Sequence, residues 1–156
     1  MLMKDFIGTK RIKAAPMNRG NYNIYRGWVL SAGECGGDHG FLVEEKDTPV
    51  NHLDHGGHIT WLPASVFLKT YKATSGLTLG LALEALQSGC AVARKGWNGK
   101  GVFLRISHPG ISALMTQAFI YIDTVGLETD NPDAARCRVP WLPSQTDLLA
   151  TDWVIL

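Results

Sequence analysis

The segment RKGWNGKG surrounds a tryptophan with cations and glycines. Arg94 and Lys95 precede Trp97 and Asn98, and Lys100 follows them. Three glycines within six residues predict a tight turn. An aromatic ring can stack on a nucleobase, an amide can pair with a base edge, and cations or glycine amides can hold phosphates. The turn is therefore a candidate nucleotide-binding element.

A second segment, PWLPSQTD, contains another tryptophan and further hydrogen-bonding side chains that could bind the same ligand as this turn. Trp141 is followed there by Ser144, Gln145 and Asp147. We expect the Asp147 carboxylate at the surface, where it could pair with a base edge. The alternative is that Trp97 and Trp141 are core residues, because a tryptophan at a strand end mostly contributes buried apolar area. The residues alone leave both interpretations open.

The sequence contains no catalytic constellation. GxGxxG, the Walker loop, GxSxG and HExxH are all absent. His52, His55 and His58 recur at every third position beside Asp54, and imidazole and carboxylate suit zinc or nickel. The neighbouring glycines and the lack of a cysteine favour a solvated loop instead. We predict no catalytic residue, no metal and no cofactor.

The length, composition and net charge limit the classes to which this protein can belong. The chain has 156 residues, is 46% hydrophobic and carries a net charge of +1, so it can bury a core in one domain or two small ones. This charge balance argues against nucleic acid or an anionic membrane as partner. No segment has the composition of a signal peptide or a membrane span. Three cysteines without a CxxC pair suit a reducing cytoplasm.

The second half of the chain reads as one helix followed by strands. Thr78 is a plausible N-cap, and Leu79, Ala82, Leu83 and Leu86 follow at helical spacing. Four strand-like runs, a short helix in PSQTDLLATD and the final strand WVIL come next. We therefore predict an α+β fold, with a mostly antiparallel sheet and one main helix in the C-terminal half.

The first half reads as a small α+β module of its own. Three strand-like runs alternate with a helical turn or short helix in MNRGNYNIYRGW, which Gly27 should end, and with a helix in PASVFLKTY. The small, polar segment KATSG then reads as a linker. We predict two domains, at residues 1–73 and 74–156.

Two segments, LGLALEALQSGCAVARKGWNGKGVFL and VPWLPSQTDLLATDW, carry a resemblance to a known family. Over residues 77–156 the chain resembles the Thoeris anti-defence two family of small phage proteins. Residues 8–72 resemble a second module met in phage proteins, and no activity comes with that likeness. The N-terminal module and the insertion-like segment GLETDNPDAARCR depart from the family pattern, so they could reshape the pocket or the assembly.

The resemblance implies a function that the residues alone do not show. Members of the family are non-catalytic sponges that bind cyclic nucleotide signals of bacterial immunity and hold them uncleaved. The signals are glycocyclic ADP-ribose isomers and, for some members, cyclic dinucleotides. The resemblance also implies homotetramers with pockets between subunits, acting in the host cytoplasm. By motif, Trp97 and Asn98 match the GWN turn, and Gln145 and Asp147 match the SQTD segment.

Two other classes of function stay open. A nucleotide hydrolase or transferase could use Asp147 as a base or the histidine run as a metal site. A phage structural or interaction module would need the tryptophans only as core.

Overall fold

The computed structural model describes residues 8–110 and 114–156, and it divides into two compact units. The first unit extends to Tyr71 and the second runs from Lys72 to Leu156. The first seven residues of the predicted first domain lie outside the described residues. Within the described part of the chain, no helix combines the length and the apolar composition needed to cross a bilayer.

The first unit is a three-stranded antiparallel sheet with two helices. Its strands are β1 (Lys13–Pro16), β2 (Gly40–Glu45) and β3 (His58–Pro63), in the order β1-β2-β3. Helix α1 (Arg19–Arg26) follows β1, and α2 (Ala64–Thr70) follows β3 directly. Gly27 ends α1 in the left-handed conformation, at the position where the sequence predicts the helix to stop.

The two faces of this sheet carry different packing. Tyr22 of α1 forms a small buried cluster with Leu42 and Ile59 on one face. Because side chains alternate along a strand, Phe41 points to the opposite face, where its ring stacks on Phe67 of α2 with centroids 4.0 Å apart. Each helix therefore covers its own face of β2.

The second unit is one helix on a five-stranded antiparallel sheet. Helix α3 (Leu79–Gln87) precedes β4 (Val92–Arg94), β5 (Phe103–Ser107), β6 (Phe119–Asp123) and β7 (Arg138–Pro140). A short helix α4 (Gln145–Leu148) and the strand β8 (Trp153–Ile155) complete it, and the strand order is β7-β6-β5-β4-β8. The predicted α+β class, with a mostly antiparallel sheet and one main helix here, is confirmed.

The core of the second unit lies between α3 and the middle of this sheet. Leu79, Ala82 and Leu86 are buried as their helical spacing predicts, whereas Leu83 is only half-buried and Ala85 takes the fourth fully buried position. Thr78 is the N-cap residue, but its side chain makes no capping hydrogen bond. The sheet contributes further buried side chains, which are Val92, Leu104 and Trp153.

The segment KATSG, predicted as a linker, makes backbone contacts with the end of the chain. The carbonyl of Thr74 accepts a hydrogen bond from Ile155 N, and Leu77, directly after the segment, pairs with Trp153 in an isolated bridge. This segment therefore continues the edge of the second unit beside β8.

The turn between β4 and β5 depends on one glycine. Gly101 has φ 77°, and a Cβ atom there would lie 2.0 Å from the carbonyl oxygen of Gly126. The neighbouring residue Lys100 accepts a backbone hydrogen bond from Glu128 N at 3.0 Å. The turn is thereby held against the connection between β6 and β7, which contains the insertion-like segment.

This close approach predicts a large cost for Gly101→Ala. Gly89→Ala is the matched control, because Gly89 has φ 85° but open space around it. The left-handed conformation alone should cost Gly89→Ala about 1–2 kcal/mol of unfolding free energy. Gly101→Ala should cost more, since a backbone clash adds to the same strain. Urea unfolding of both variants measures the difference, and equal losses would contradict the close packing of the two loops.

Candidate functional site

The sequence of the short helix α4 explains how one carboxylate becomes fixed. Ser144 is the N-cap, and its hydroxyl oxygen accepts a hydrogen bond from Asp147 N at 3.2 Å. In return, Ser144 N donates to Asp147 Oδ2 at 3.0 Å. This reciprocal capping box satisfies backbone donors that the first turn of a helix leaves unpaired. The Ser144 hydroxyl also donates to Asp147 Oδ2, at 2.6 Å.

The other oxygen of this carboxylate contacts the turn after β4. Asp147 Oδ1 accepts from Arg94 Nη1 at 2.7 Å and from Trp97 Nε1 at 3.2 Å. Four donors therefore converge on one carboxylate, and Asp147 is only 8% exposed. The expectation of a surface Asp147 is wrong, because this side chain joins α4 to the turn from inside the unit.

Arg94 extends the network to the start of β8. Its Nε donates to Asp152 Oδ1 at 2.9 Å, and Gly96 N donates to Asp152 Oδ2 at 2.7 Å. Arg94 and Trp153 are register partners between β4 and β8, which brings the preceding residue Asp152 close to the arginine. The guanidinium thus lies between two carboxylates. The hydrogen bonds to Asp152 and Asp147 raise the pKa of Arg94.

Three tryptophans pack edge to face beside this network. The ring centroids of Trp97 lie 5.5 Å from Trp153 and 6.5 Å from Trp141, and Trp141 lies 5.9 Å from Trp153. Trp153 is fully buried, and its Nε1 donates to the carbonyl of Asp147 at 3.2 Å. Trp97 and Trp141 are half-buried and pack against the core. Both rings are therefore part of the framework while keeping some exposed surface.

The predicted residues fall into two groups. Direct hydrogen bonds or ring contacts join Arg94, Trp97, Trp141, Ser144 and Asp147. The other predicted residues have exposed side chains on or next to the same two segments, and they are Lys95, Asn98, Lys100 and Gln145. The structure thus brings the turn and α4 side by side.

The sequence analysis missed Asp152 and Trp153 as members of this site. Both lie in the TDW end of the segment that carries the resemblance. Asp152 directly precedes β8, and β8 pairs with β4, the strand that ends in Arg94. This position next to Arg94 is the signal that could have identified Asp152. That signal becomes visible only once the pairing of β4 with β8 is known.

The chemistry of Asp147 is that of a permanent anion. Burial alone would raise its pKa, but hydrogen bonds from Ser144, Arg94 and Trp97 outweigh burial and lower the pKa to about 2. A general base works best when its pKa is near the operating pH. Asp147 is therefore poorly suited to abstract a proton at neutral pH, and both of its oxygens already accept hydrogen bonds.

The histidine run belongs to the first unit and makes contacts of other kinds. The ring of His52 stacks on Tyr25 with centroids 4.4 Å apart, and His55 Nδ1 lies 3.4 Å from Glu44 Oε2. His58 Nε2 lies 3.2 Å from Asn51 Nδ2. Across residues 8–110 and 114–156, no group of three histidine, cysteine or acidic side chains could hold a metal ion.

Comparison with known proteins bears on the second unit. A family model described as the Thoeris anti-defense 2-like domain matches residues 77–156. The chain belongs to this family. It is also 36% identical over 89 residues to Thoeris anti-defense 2 of Bacillus phage SP01, an alignment that covers 51% of this chain and 94% of that protein. The resemblance drawn from the two motif segments is confirmed, and membership of the family supports a role in phage anti-defence.

The Asp147 network predicts an acid-sensitive contribution to stability. The folded pKa of about 2 lies below the ordinary value of 3.8, so the contribution is complete above pH 4 and is lost as the pH falls through 2. At 1.36 kcal/mol per pKa unit, the contribution is about 2 kcal/mol. Asp147→Asn should lower the unfolding free energy at pH 7 and flatten its decline between pH 4 and pH 2. Urea unfolding at several pH values measures both effects.

Asp133→Asn, at an exposed position in the connection between β6 and β7, is the control for this experiment. It should leave the unfolding free energy at pH 7 near wild type, because an isolated surface substitution changes little. If Asp147→Asn behaved like this control at every pH, the four hydrogen bonds to Asp147 would contribute nothing to the unfolding free energy.

Proposed function

We propose that this protein is a phage anti-defence sponge, which binds and sequesters a cyclic nucleotide immune signal without cleaving it. The observation that carries the proposal is the contact between Trp97 and Asp147, within a region that belongs to the anti-defence family. That contact sets the RKGWNGKG turn beside α4, and we propose that the exposed polar side chains of both segments share one surface. The proposed place of action is the cytoplasm of the infected bacterium.

The proposed site has a rigid framework and an exposed layer. Arg94, Asp147 and Asp152 form the framework, and their charges are largely satisfied by each other. The exposed layer is proposed to contact the ligand. In that layer Lys95 and Lys100 supply positive charge for phosphates, and the exposed surface of Trp97 supplies a stacking partner.

Base recognition is assigned to the neutral polar side chains of the same layer. Asn98 and Gln145 carry both a donor and an acceptor, which suits the edge of a nucleobase. Ser144 contributes little to base recognition, because its hydroxyl already contacts Asp147 and Thr146. Trp141 supports Trp97 through their ring contact.

Retention without cleavage is consistent with the state of the acid in this site. Hydrolysis would need a group that can activate water, and Asp147 is held as a fully hydrogen-bonded anion with a pKa of about 2. The enzyme alternative that uses Asp147 as a base is therefore disfavoured. The proposed ligands are glycocyclic ADP-ribose isomers, with cyclic dinucleotides as a second class.

The protein is further proposed to act as a homo-oligomer, most simply a tetramer. Apolar side chains beside α4 are strongly exposed, with Leu142 at 88% and Leu149 at 81%. Val139 and Leu148, in the same region of the sequence, are also exposed. Large exposed apolar patches on soluble proteins commonly mark interaction surfaces. Contact between copies at this surface would bury these side chains next to the proposed ligand site.

Substitution of exposed residues tests the ligand surface without disturbing the framework. Gln145→Ala and Asn98→Ala should each weaken binding about tenfold, because a lost hydrogen bond to a ligand is worth about 1 kcal/mol or more. Gln87→Ala is the matched control, since this glutamine is exposed at the end of α3. Calorimetric titration with cyclic ADP-ribose isomers and cyclic dinucleotides measures affinity, and thermal unfolding without ligand checks that all variants fold.

The fate of the ligand in the same experiment separates a sponge from an enzyme. Heating the complex should release the ligand intact, and mass spectrometry identifies it. A hydrolysed product would favour the enzyme alternative. If no cyclic nucleotide bound or shifted the melting temperature, the structural or interaction module would be the better account.

The proposed assembly predicts a mass well above that of one 17.0 kDa chain. Multi-angle light scattering at micromolar concentration should give about four times that value. Leu142→Glu combined with Leu149→Glu should lower the mass, because charged side chains disfavour an apolar interface. A wild-type protein that scatters as a single chain would contradict the assembly.

A further inference from the structure

The first unit contains a cleft that the anti-defence site does not use. Its volume is about 590 Å³, and it is open to solvent between α1, the segment after it and β3. This size lies within the range of about 300–1,000 Å³ typical of small-molecule sites. All of its lining residues lie between Arg19 and Trp61, so it belongs to the first unit alone.

Three aromatic side chains form the apolar part of the cleft. Tyr22 is buried, Trp61 is half-buried and Trp28 is 53% exposed. The ring of Trp28 meets Tyr22 edge to face, with centroids 6.1 Å apart. The guanidinium of Arg26 lies over Trp28 at 4.4 Å and donates to the carbonyl of Asn51. Trp28 is thereby an exposed ring that its neighbours hold in a fixed orientation.

The polar part of the cleft contains one unsatisfied donor. Arg19 Nη1 is paired with Glu34, and the guanidinium lies over the ring of Trp61 at 4.6 Å. Within the described residues, Arg19 Nε is buried and has no hydrogen-bond acceptor, and Asp38 Oδ2 lies 4.0 Å from it. A buried donor without an acceptor costs free energy. Because Nε has almost no exposed surface, a ligand in the cleft would meet the outer, exposed part of the Arg19 side chain and not this atom.

The cleft is built from backbone contacts that hold its wall in place. Gly20 N donates to the carbonyl of Gly36 at 2.8 Å, and a Cβ at Gly20 would lie 3.0 Å from that oxygen. Glu34 Oε2 accepts from Ser31 N at 3.2 Å. The loop that carries Ser31 and Glu34 is thus fixed against the start of α1, and the pairing of Arg19 with Glu34 is part of that fixed wall.

The charges and the polarity of the side chains that line the cleft indicate which class of ligand fits it. One arginine that lines the cleft is already paired with one glutamate, so there is no excess positive charge to hold a polyphosphate. Asn23, Thr60 and His58 make the lining too polar for a lipid chain. Aromatic rings together with hydrogen-bonding side chains suit a flat heterocycle that carries donors and acceptors on its edge.

We propose that this cleft binds a nucleobase, either free or as an uncharged nucleoside, with its ring on Trp28 and its polar edge towards Asn23 and Thr60. This site is separate from the one proposed for the cyclic signal, and it gives the N-terminal unit a binding role of its own. It requires neither a metal nor a second protein.

The test uses the full chain labelled with ¹⁵N and titrated with adenosine, guanosine, cytidine and uridine. The five tryptophans give five indole N–H signals, which report each ring separately. A nucleoside should shift the signals of Trp28 and Trp61 saturably. Trp28→Ala should weaken its binding at least tenfold, because base stacking contributes strongly. Leu53→Ala, fully exposed in the same unit and away from the cleft lining, should leave the affinity unchanged.

A second variant keeps the proposal testable if Trp28→Ala does not fold. Asn23→Ala removes an amide that lines the cleft, and it should also weaken nucleoside binding about fivefold. The absence of saturable shifts at Trp28 and Trp61 with millimolar nucleosides would overturn the proposal. Shifts confined to Trp97, or saturable binding of N-acetylglucosamine in place of every nucleoside, would overturn it as well.

Discussion

The carboxylate of Asp147 is the constraint on which the second unit depends. It accepts hydrogen bonds from a guanidinium, an indole N–H, a backbone N–H and a hydroxyl. These donors come from two segments about fifty residues apart in sequence, so the carboxylate fixes the relative position of the turn and α4. Removing it would leave Arg94 buried beside a single remaining acid, and breaking one partner of a buried ion pair is costly.

This arrangement would separate the residues that stabilise the unit from those proposed to recognise the ligand. The framework residues make their hydrogen bonds to each other. In contrast, four predicted site residues remain exposed, which are Lys95, Asn98, Lys100 and Gln145. Trp97 belongs to both groups, because its N–H holds Asp147 while its ring is only half-buried. The proposed sponge would benefit from such a division, since a rigid site loses less conformational entropy when the ligand binds.

Local sequence patterns predict much of the fold but little of this network. The apolar spacing of α3 and the glycine that ends α1 are encoded within a few neighbouring residues, and both predictions agree with the structure except at Leu83. The burial of Asp147 is not encoded in that way, because a carboxylate three residues after a serine reads as an ordinary helix cap. The other donors to Asp147, on Arg94 and Trp97, come close to it because β4 pairs with β8.

Long-range contacts also limit what the sequence alone can predict about the candidate site. The motif segments identify Trp97 and Asp147, but their contact spans fifty residues and no local pattern predicts it. The approach of Gly101 to Gly126 is likewise visible only when the two loops are placed together. Asp152 was missed because its role depends on that same long-range pairing.

The proposed double role of Trp97 is the central claim, and one pair of variants tests it directly by titration with cyclic ADP-ribose isomers and cyclic dinucleotides. Trp97→Phe removes the N–H to Asp147 but retains an aromatic ring, so it should lose stability while keeping affinity within a few-fold of wild type. Trp97→Ala removes the ring as well, and it should lose roughly ten- to hundredfold in affinity where it is folded. A folded Trp97→Ala protein that binds the ligand as tightly as Trp97→Phe would contradict the account and leave Trp97 as a core residue alone.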